Sequence, residues 1–268
     1  MGKNGSSERK RPAWLLLVNV GNTRTTLALY RDRRIGARIR VPTEMGAGAG
    51  RRAMAALTRG RTLRGAALCS VVPAVEPRWR RLLHERIGEP PHVLGPDSPL
   101  GVRLDISRPK EVGPDRLADV AAAAACYGAP AIVVDAGTAT TCNALVRGRG
   151  FIGGAIAPGP SLFLDYLAER TARLPRVRFG GAIAPFGRTT VSAMRIGATV
   201  GYAGMLRALI GHLRRVPELA GAPVVITGGA GRVATEALGA AAIFDRDLTL
   251  IGIGLTADRV WNRMPSER

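Results

Sequence analysis

Residues 134–145 read VDAGTATTCNAL, and residues 18–29 read VNVGNTRTTLAL. The two stretches are copies of one pattern, since Gly137 falls on Gly21 when they are aligned. Each copy follows a short apolar run, which is typical of a buried strand that enters a tight turn. Glycine allows the sharp turn, and the small hydroxyl residues after it supply N–H and O–H donors that suit phosphate. The repeat therefore predicts a duplicated fold with two phosphate-binding turns.

The composition excludes several classes of protein. The chain has 268 residues, of which 46% are hydrophobic, and this favours a globular protein with a large core over a disordered one. Strands that alternate with Ala-rich helical stretches indicate the α/β class. The three cysteines lack metal-ligand spacing, so neither a disulfide framework nor a zinc site is indicated. We expect a soluble, cytoplasmic protein without a membrane span, preceded by a disordered basic tail at residues 1–13.

The net charge of +19 raises the question of nucleic-acid binding. The excess is almost entirely arginine, spread along the chain without the interleaved aromatic residues of a single-strand binding platform. Nucleic-acid binding is therefore not expected. An affinity for DNA that decreases steeply with salt would be the evidence in favour of that hypothesis. The positive field still favours anionic substrates such as ATP.

The apolar pattern predicts secondary structure along most of the chain. Residues 14–30 are expected to form two strands around the first turn, and residues 31–36 a polar turn. Residues 190–213 are expected to form a long helix whose glycines permit another backbone to approach closely. We place the boundary between two similar domains after residue 120, which gives domains at residues 14–120 and 121–268.

Asp115 is the candidate general base. It lies in the sequence Gly113-Pro114-Asp115-Arg116, a constrained turn at a predicted helix start. A carboxylate there can accept a proton from a substrate. It could equally serve as an N-cap that satisfies the free N–H groups of the helix. The local sequence leaves both interpretations open.

Several motifs together resemble those of the type III pantothenate kinases, members of the actin/hexokinase/Hsp70 ATPase superfamily. They follow one another in the family's order over residues 14–258: NVGNT at 19–23, SVVP at 70–73, GPDR at 113–116, DAGTATT at 135–141, GGAIAPG at 153–159, GRTT at 187–190, TGG at 227–229 and DLTL at 247–250. The resemblance implies a duplicated actin-like (ribonuclease H-like) ATPase fold, in which two similar α/β domains surround a nucleotide cleft. It also implies ATP-dependent phosphorylation of pantothenate, the first step of coenzyme A biosynthesis.

The resemblance further implies roles for particular residues. The contacts to the phosphates of ATP would come from the two turns: Asn19, Val20, Gly21, Asn22, Thr23, Arg24, Thr25, Thr26 and Thr138. The pantothenate pocket would be lined by the helix start: Gly113, Pro114, Asp115 and Arg116. Asp115 would accept the proton of the attacking hydroxyl, and Asp135 would coordinate a monovalent cation, K⁺ or NH₄⁺, that acts beside Mg²⁺-ATP. Thr190 would reach pantothenate across a homodimer interface, and the TGG turn would form the adenosine side.

The chain departs from the family pattern at four positions. Asn19 and Asn143 replace aspartates, Ile106 replaces a pantothenate-contacting tyrosine, and Thr189 replaces an asparagine. An amide oxygen can still coordinate a cation, but it lacks the negative charge that attracts one. Two alternatives therefore remain open: a catalytically impaired relative that acts as a nucleotide-binding regulatory or accessory protein, and an actin-fold sugar kinase.

Overall fold

The computed structural model describes residues 13–240 and 242–261, so the tail predicted at residues 1–13 lies, except for Ala13, outside the described residues. The chain divides into two compact units, one ending at Val93 and one beginning at Leu94. Each unit is built on a five-stranded sheet with helices packed against it. No helix in the described part of the chain is long and apolar enough to cross a membrane.

The sheet of the first unit has the order β3-β2-β1-β4-β5. The elements of this unit are β1 (Trp14–Val20), β2 (Arg24–Arg31), β3 (Arg34–Pro42), α1 (Ala47–Thr58), β4 (Leu63–Ser70), α2 (Glu76–Ile87) and β5 (His92–Val93). Strands β1, β2 and β3 are antiparallel neighbours, whereas β4 and β5 run parallel to β1. Leu16 and Val18 of β1 pack with Met54 of α1 and Trp79 of α2, so both helices cover one face of this sheet.

The sheet of the second unit has the order β10-β9-β6-β7-β8. The elements of this unit are α3 (Pro114–Cys126), β6 (Ala131–Ala136), β7 (Ala139–Val146), β8 (Gly150–Pro158), α4 (Pro160–Arg170), α5 (Thr190–Leu213), β9 (Val224–Thr227), α6 (Gly231–Leu238), β10 (Ala242–Phe244) and α7 (Leu248–Trp261). Short 3₁₀ turns occur at Pro109–Glu111 and Pro217–Leu219.

The two sheets share one topology, and this confirms the duplication that the repeated sequence predicts. Strand β6 takes the place of β1, with antiparallel β7 and β8 on one side and parallel β9 and β10 on the other. The two glycine turns consequently occupy equivalent positions, between β1 and β2 and between β6 and β7.

Both faces of the second sheet are covered. Ile132 and Val134 of β6 lie in a core cluster with residues of α5 and α6, whereas Ala131 and Val133 lie in one with residues of α3 and α7. This alternation follows from the two-residue period of a strand. Helices on both faces hold the strand ends, and the turns that follow them, in fixed positions.

The domain boundary differs from the one predicted after residue 120. Helix α3 packs against α7 and β6, so it belongs to the second unit, which begins at Leu94. The approach is close: a Cβ added at Gly252 of α7 would overlap the Ala118 carbonyl of α3. The sequence predicts an Ala-rich helix over Leu117–Tyr127 but does not show which sheet this helix covers, so the expected boundary was placed too late.

Candidate active site

The first turn joins β1 to β2 and is closed by hydrogen bonds. The Gly21 N–H donates to the Arg24 carbonyl at 3.0 Å, and the Thr43 hydroxyl donates to the Gly21 carbonyl at 2.7 Å. Asn22, Thr23 and Arg24 are exposed, whereas Gly21 is partly buried. The tip of the turn is thus the part whose N–H groups can face a phosphate.

Thr25 corrects part of the expected phosphate site. Its side chain has no exposed surface, and its Oγ1 lies 3.1 Å from that of Thr43. The expectation that this hydroxyl faces phosphate is wrong, because alternate residues of β2 point into the core. Val20 is likewise fully buried. Thr43, which the sequence analysis did not single out, instead ties β2 to the turn and has its own carbonyl bound by Arg78 at 2.9 Å.

The second turn, between β6 and β7, has the same form. The Gly137 N–H donates to the Ala139 carbonyl at 3.0 Å, and the Gly159 N–H donates to the Thr138 carbonyl at 2.9 Å. A Cβ at Gly159 would overlap the carbonyls of this turn, so glycine is required where β8 ends. Thr138 and Ala139 are exposed at the tip, as Thr23 and Arg24 are in the first turn.

The TGG turn after β9 lies directly against the second turn. The Ala230 N–H donates to the Ala136 carbonyl at 2.7 Å. Gly228 has a φ of +93°, and a Cβ there would overlap the Asp135 carboxylate. The second turn, the TGG turn and the end of β6 therefore form one continuous backbone surface around Asp135.

Asp115 lies in the first turn of α3, and its N-cap interpretation is wrong. Gly113 occupies the N-cap position and Pro114 begins the helix. The Asp115 Oδ1 accepts the Arg116 N–H at 2.8 Å, so the carboxyl satisfies one free amide from inside the helix. Burial raises the pKa of Asp115, and the backbone bond and the Arg116 charge act in the opposite direction.

Arg116 connects the start of α3 to strand β7, which follows the second turn. Its Nε donates to the Asn143 Oδ1 at 2.8 Å, and the Asn143 Nδ2 lies 3.3 Å from the Thr141 Oγ1, to which it donates. The guanidinium lies over the Phe151 ring, 5.5 Å from its centroid. Asn143 is fully buried, so this chain of contacts is fixed inside the second unit. The GPDR and DAGTATT motifs are thus brought together.

Asp135 and Asp115 are close enough for their charges to interact. Burial, and to a smaller extent the charge of Asp115, together raise the pKa of Asp135 to about 7. Asp119, one helical turn after Asp115, is fully buried and bonded by Thr249. Burial raises its pKa well above the ordinary value, with Asp135 and Asp115 adding to the effect. Asp119 lies outside the motifs that predicted the site, although a carboxylate within the apolar run LADVAAAAA is a visible signal in the sequence.

The residues around Asp135 fit a monovalent cation. The Asp135 carboxylate and the Ala136 carbonyl oxygen lie side by side against Gly228, so close that a Cβ added there would overlap both. Oxygen donors of this kind suit hard cations. Among residues 13–240 and 242–261, no group of three or more His, Cys, Asp and Glu side chains could hold a metal, so such a cation would depend on Asp135 and carbonyl oxygens. At the position in the first repeat that corresponds to Asp135, the chain has the Asn19 amide, which lacks the negative charge that attracts Mg²⁺.

Thr190 and Ile106 also belong to the second unit. Thr190 is exposed at the start of α5, where Thr189 caps the helix and forms a capping box with Ser192. The substitution at residue 189 therefore keeps a good N-cap. Ile106 lines a surface cavity of about 400 Å³ with four neighbours, among them Ile152 of β8.

Comparison with known proteins identifies the family. The model of the family described as type III pantothenate kinase matches residues 15–212, which include both turns and the GPDR segment. The chain belongs to the type III pantothenate kinase family. A type III pantothenate kinase from Rhodospirillum rubrum is 38% identical over 250 residues, covering 89% of this chain and 96% of that protein. One from Rubrobacter xylanophilus is 38% identical over 255 residues, covering 89% and 95%.

The fold predicted for a type III pantothenate kinase is also confirmed. A ROK family glucokinase from Streptomyces griseus, solved in complex with glucose and AMPPNP, aligns with 92% of this chain and 99% of its own. The TM-score is 0.54 and the identity is 12%, so the likeness concerns the fold alone. Together with the two sheets of equal topology, it supports the duplicated actin-like ATPase architecture.

Proposed function

We propose that this chain transfers the γ-phosphoryl group of ATP to pantothenate and forms 4′-phosphopantothenate, the first step of coenzyme A biosynthesis, in the cytoplasm. The observation that carries the proposal is the contact chain from Arg116 through Asn143 to Thr141. It fixes the GPDR segment, which is proposed to bind pantothenate, against β7, which follows the second turn, proposed to bind ATP. Membership of the type III pantothenate kinase family supplies the substrate.

Asp115 is the proposed general base. Its pKa is raised by burial, which makes the carboxylate a better proton acceptor than an exposed aspartate. As the pantothenate hydroxyl forms its bond to the γ-phosphorus, Asp115 accepts the proton and the bond to the β–γ bridging oxygen breaks. ADP is then the leaving group. Gly113, Pro114 and Arg116 line the substrate side of the same helix start, and the Arg116 guanidinium offers charged hydrogen-bond donors.

The phosphates of ATP are proposed to contact the exposed tips of the turns. In the first turn these contacts come from residues 21–24 and the neighbouring Asn19 and Thr26, and in the second from Thr138. Asp135 would hold K⁺ or NH₄⁺, and Mg²⁺ would accompany ATP. When bound, these cations neutralise charge on the phosphoryl oxygens. The backbone N–H groups of the turns also stabilise negative charge on the phosphates, and they do so without gaining or losing a proton.

We further propose a homodimer formed through α5. Val200 on this helix is 58% exposed, and Phe186 and Tyr166 on neighbouring segments are 62% and 61% exposed. Gly197 and Gly201 have no atom within 4 Å of an added Cβ, so the backbone of a second copy can approach closely. Thr190, at the exposed start of α5, would then reach pantothenate bound to the partner. Val200→Glu should convert a dimer to a monomer in light scattering, and an unchanged mass would contradict this surface.

A substrate panel tests the function. Purified protein with ATP, Mg²⁺ and K⁺ is incubated separately with pantothenate, glucose and N-acetylmannosamine, and ADP and the phosphorylated product are measured by mass spectrometry. Conversion of pantothenate alone is expected. Phosphorylation of a sugar instead would support the sugar kinase alternative. Asn19 favours a non-catalytic relative, so nucleotide binding without turnover of any substrate, with or without K⁺, would support that alternative.

A further inference from the structure

Thr141 of β7 carries a hydroxyl proton that the proposed reaction does not yet use. The strand pairing places this residue directly opposite Asp135, as it places Thr26 directly opposite Asn19 in the first unit. Directly opposite residues of an antiparallel pair extend their side chains on the same face of the sheet. Thr141 is therefore the structural counterpart of Thr26, which is already proposed to contact the phosphates of ATP.

The threonine that precedes each of these residues faces the other way. Thr25 and Thr140 have no exposed surface, and each of their hydroxyls lies 3.1 Å from another buried hydroxyl. Thr26 and Thr141, in contrast, are only partly buried. One threonine of each pair thus packs in a core, and the other remains accessible to a ligand.

Asn143 fixes the direction of the hydrogen bond that Thr141 receives. The Arg116 Nε can only donate, so Asn143 must turn its oxygen to Arg116, at 2.8 Å, and its NH₂ group to the Thr141 Oγ1, at 3.3 Å. The Thr141 oxygen is therefore an acceptor in this contact, and its own proton points away from the amide. Among the residues that the structure describes, no group accepts that proton.

The face of β7 that carries Thr141 is the one that α3 covers. Asn143, two residues along the same face, lies opposite Val133, whose core cluster contains residues of α3 and α7. Exposure decreases along this face from Ala139 at the tip of the second turn, through Thr141, to the fully buried Asn143. The hydroxyl thus lies between the tip proposed to bind phosphate and the amide that contacts the GPDR segment. An oxygen of the phosphoryl group in transfer is the acceptor that suits this position.

We propose that the Thr141 hydroxyl donates a hydrogen bond to an oxygen of the γ-phosphoryl group of ATP, and that Asn143 orients the hydroxyl to do so. The inference rests on the nucleotide binding in the proposed function. The γ-phosphoryl oxygens carry negative charge, and a donor that is already oriented stabilises this charge without breaking a bond to another protein group. Because ADP lacks the γ-phosphoryl group, the contact should strengthen binding of the triphosphate and not of the diphosphate.

The test compares the binding of ADP with that of AMPPNP, a non-hydrolysable triphosphate, to the full chain in Mg²⁺ and K⁺ by calorimetry. Thr141→Val removes the hydroxyl and keeps the shape of the side chain. The affinity for AMPPNP should therefore fall about tenfold or more, with the affinity for ADP unchanged. Thr141→Ser retains a donor at the same position and should keep most of the affinity for AMPPNP.

Thr140→Val is the matched control. It makes the same chemical change at the adjacent residue, whose hydroxyl contacts that of Tyr202 in the core. This variant should lower the melting temperature and leave the ratio of the AMPPNP and ADP affinities unchanged.

Asn143→Ala tests the orienting role of the amide. It should reduce the ratio of the AMPPNP and ADP affinities in the wild-type background. In the Thr141→Val background it should have no further effect on that ratio, because no hydroxyl remains to be oriented. If Asn143→Ala does not fold, Asn143→Leu, which retains most of the volume of the side chain, replaces it.

The outcomes separate this inference from the proposed function. A folded Thr141→Val that binds AMPPNP as the wild type does, or that loses affinity for AMPPNP and ADP equally, would overturn the contact, as would a Thr141→Ser no better than Thr141→Val. An equal effect of the Asn143 variant in both backgrounds would overturn the orienting role. If the wild type binds both nucleotides but does not phosphorylate pantothenate, the proposed function fails while the affinity ratio still decides the inference. If it binds neither nucleotide, both fail.

Discussion

Replacing Gly228 with alanine is expected to destabilise the second unit by several kcal/mol. Gly228 has a φ of +93°, and an alanine in left-handed backbone costs about 1–2 kcal/mol. The added Cβ would also lie 2.5 Å from the Ala136 carbonyl oxygen and 2.7 Å from its carbon, besides overlapping the Asp135 carboxylate. Overpacking of this kind costs about 1–3 kcal/mol, since the neighbours are backbone and cannot rotate away. The sum is about 2–5 kcal/mol.

Gly229→Ala is the control for this prediction. Gly229 lies in the same turn, but no atom lies within 4 Å of an added Cβ. Its free energy of unfolding in urea should stay within about 0.5 kcal/mol of the wild type. Gly228→Ala should show the full loss and should also weaken the proposed activation by K⁺, because the substitution displaces Asp135. Equal stability of the two variants would refute the close packing of the TGG turn on Asp135.

Three further predictions concern the turns and the acids. Thr43→Val should lower the free energy of unfolding in urea by about 1–3 kcal/mol, because the Gly21 carbonyl loses its donor and the buried Thr25 hydroxyl loses its partner. A loss below about 0.5 kcal/mol would contradict the hydrogen-bonded turn. In a pH–rate profile, kcat/KM for pantothenate should fall as the pH drops through the raised pKa of Asp115, because the protonated carboxyl cannot accept a proton. The midpoint of this fall should lie above 3.8, the ordinary pKa of an aspartate. In cation-free buffer, the pKa of about 7 for Asp135 means that the folded chain binds more protons than the unfolded chain between pH 3.8 and 7. The melting temperature should therefore decrease as pH rises through that window, and Asp135→Asn should flatten the decrease.

The duplicated architecture could be predicted because its signal is local. Two apolar runs that each end in a glycine and small hydroxyl residues define the β1–β2 and β6–β7 turns, and the structure confirms both. Helix α5 also has the predicted bounds, Thr190–Leu213. In contrast, residues 31–36 were expected to form a polar turn, whereas β3 covers Arg34–Pro42. Strand β3 lies at the edge of its sheet, where exposed arginines are tolerated. Because arginines interrupt its apolar residues, the alternation that predicts a strand is difficult to recognise.

The candidate site could be predicted only in part, since its remaining contacts join distant segments. Asp115 and Asp135 could be identified from the GPDR and DAGTATT motifs, in which each lies two residues from a glycine. Asn143 was noted as a departure, but its bond to Arg116 spans 27 residues and no local pattern shows it. Thr249 lies 130 residues from Asp119. Such contacts follow from the packing of α3 on α7, which the sequence of either helix alone does not reveal.

The central claim is that Asp115 is the base of an ATP-dependent pantothenate kinase, and one comparison tests it most directly. Formation of 4′-phosphopantothenate is measured for the wild type, for Asp115→Asn and for Glu111→Gln, an exposed acid four residues earlier that pairs with Arg108. The wild type and Glu111→Gln should form the product at similar rates. Asp115→Asn should lose about 10²–10⁴-fold in kcat while its melting temperature is maintained. A folded Asp115→Asn that retains the wild-type rate would contradict the account.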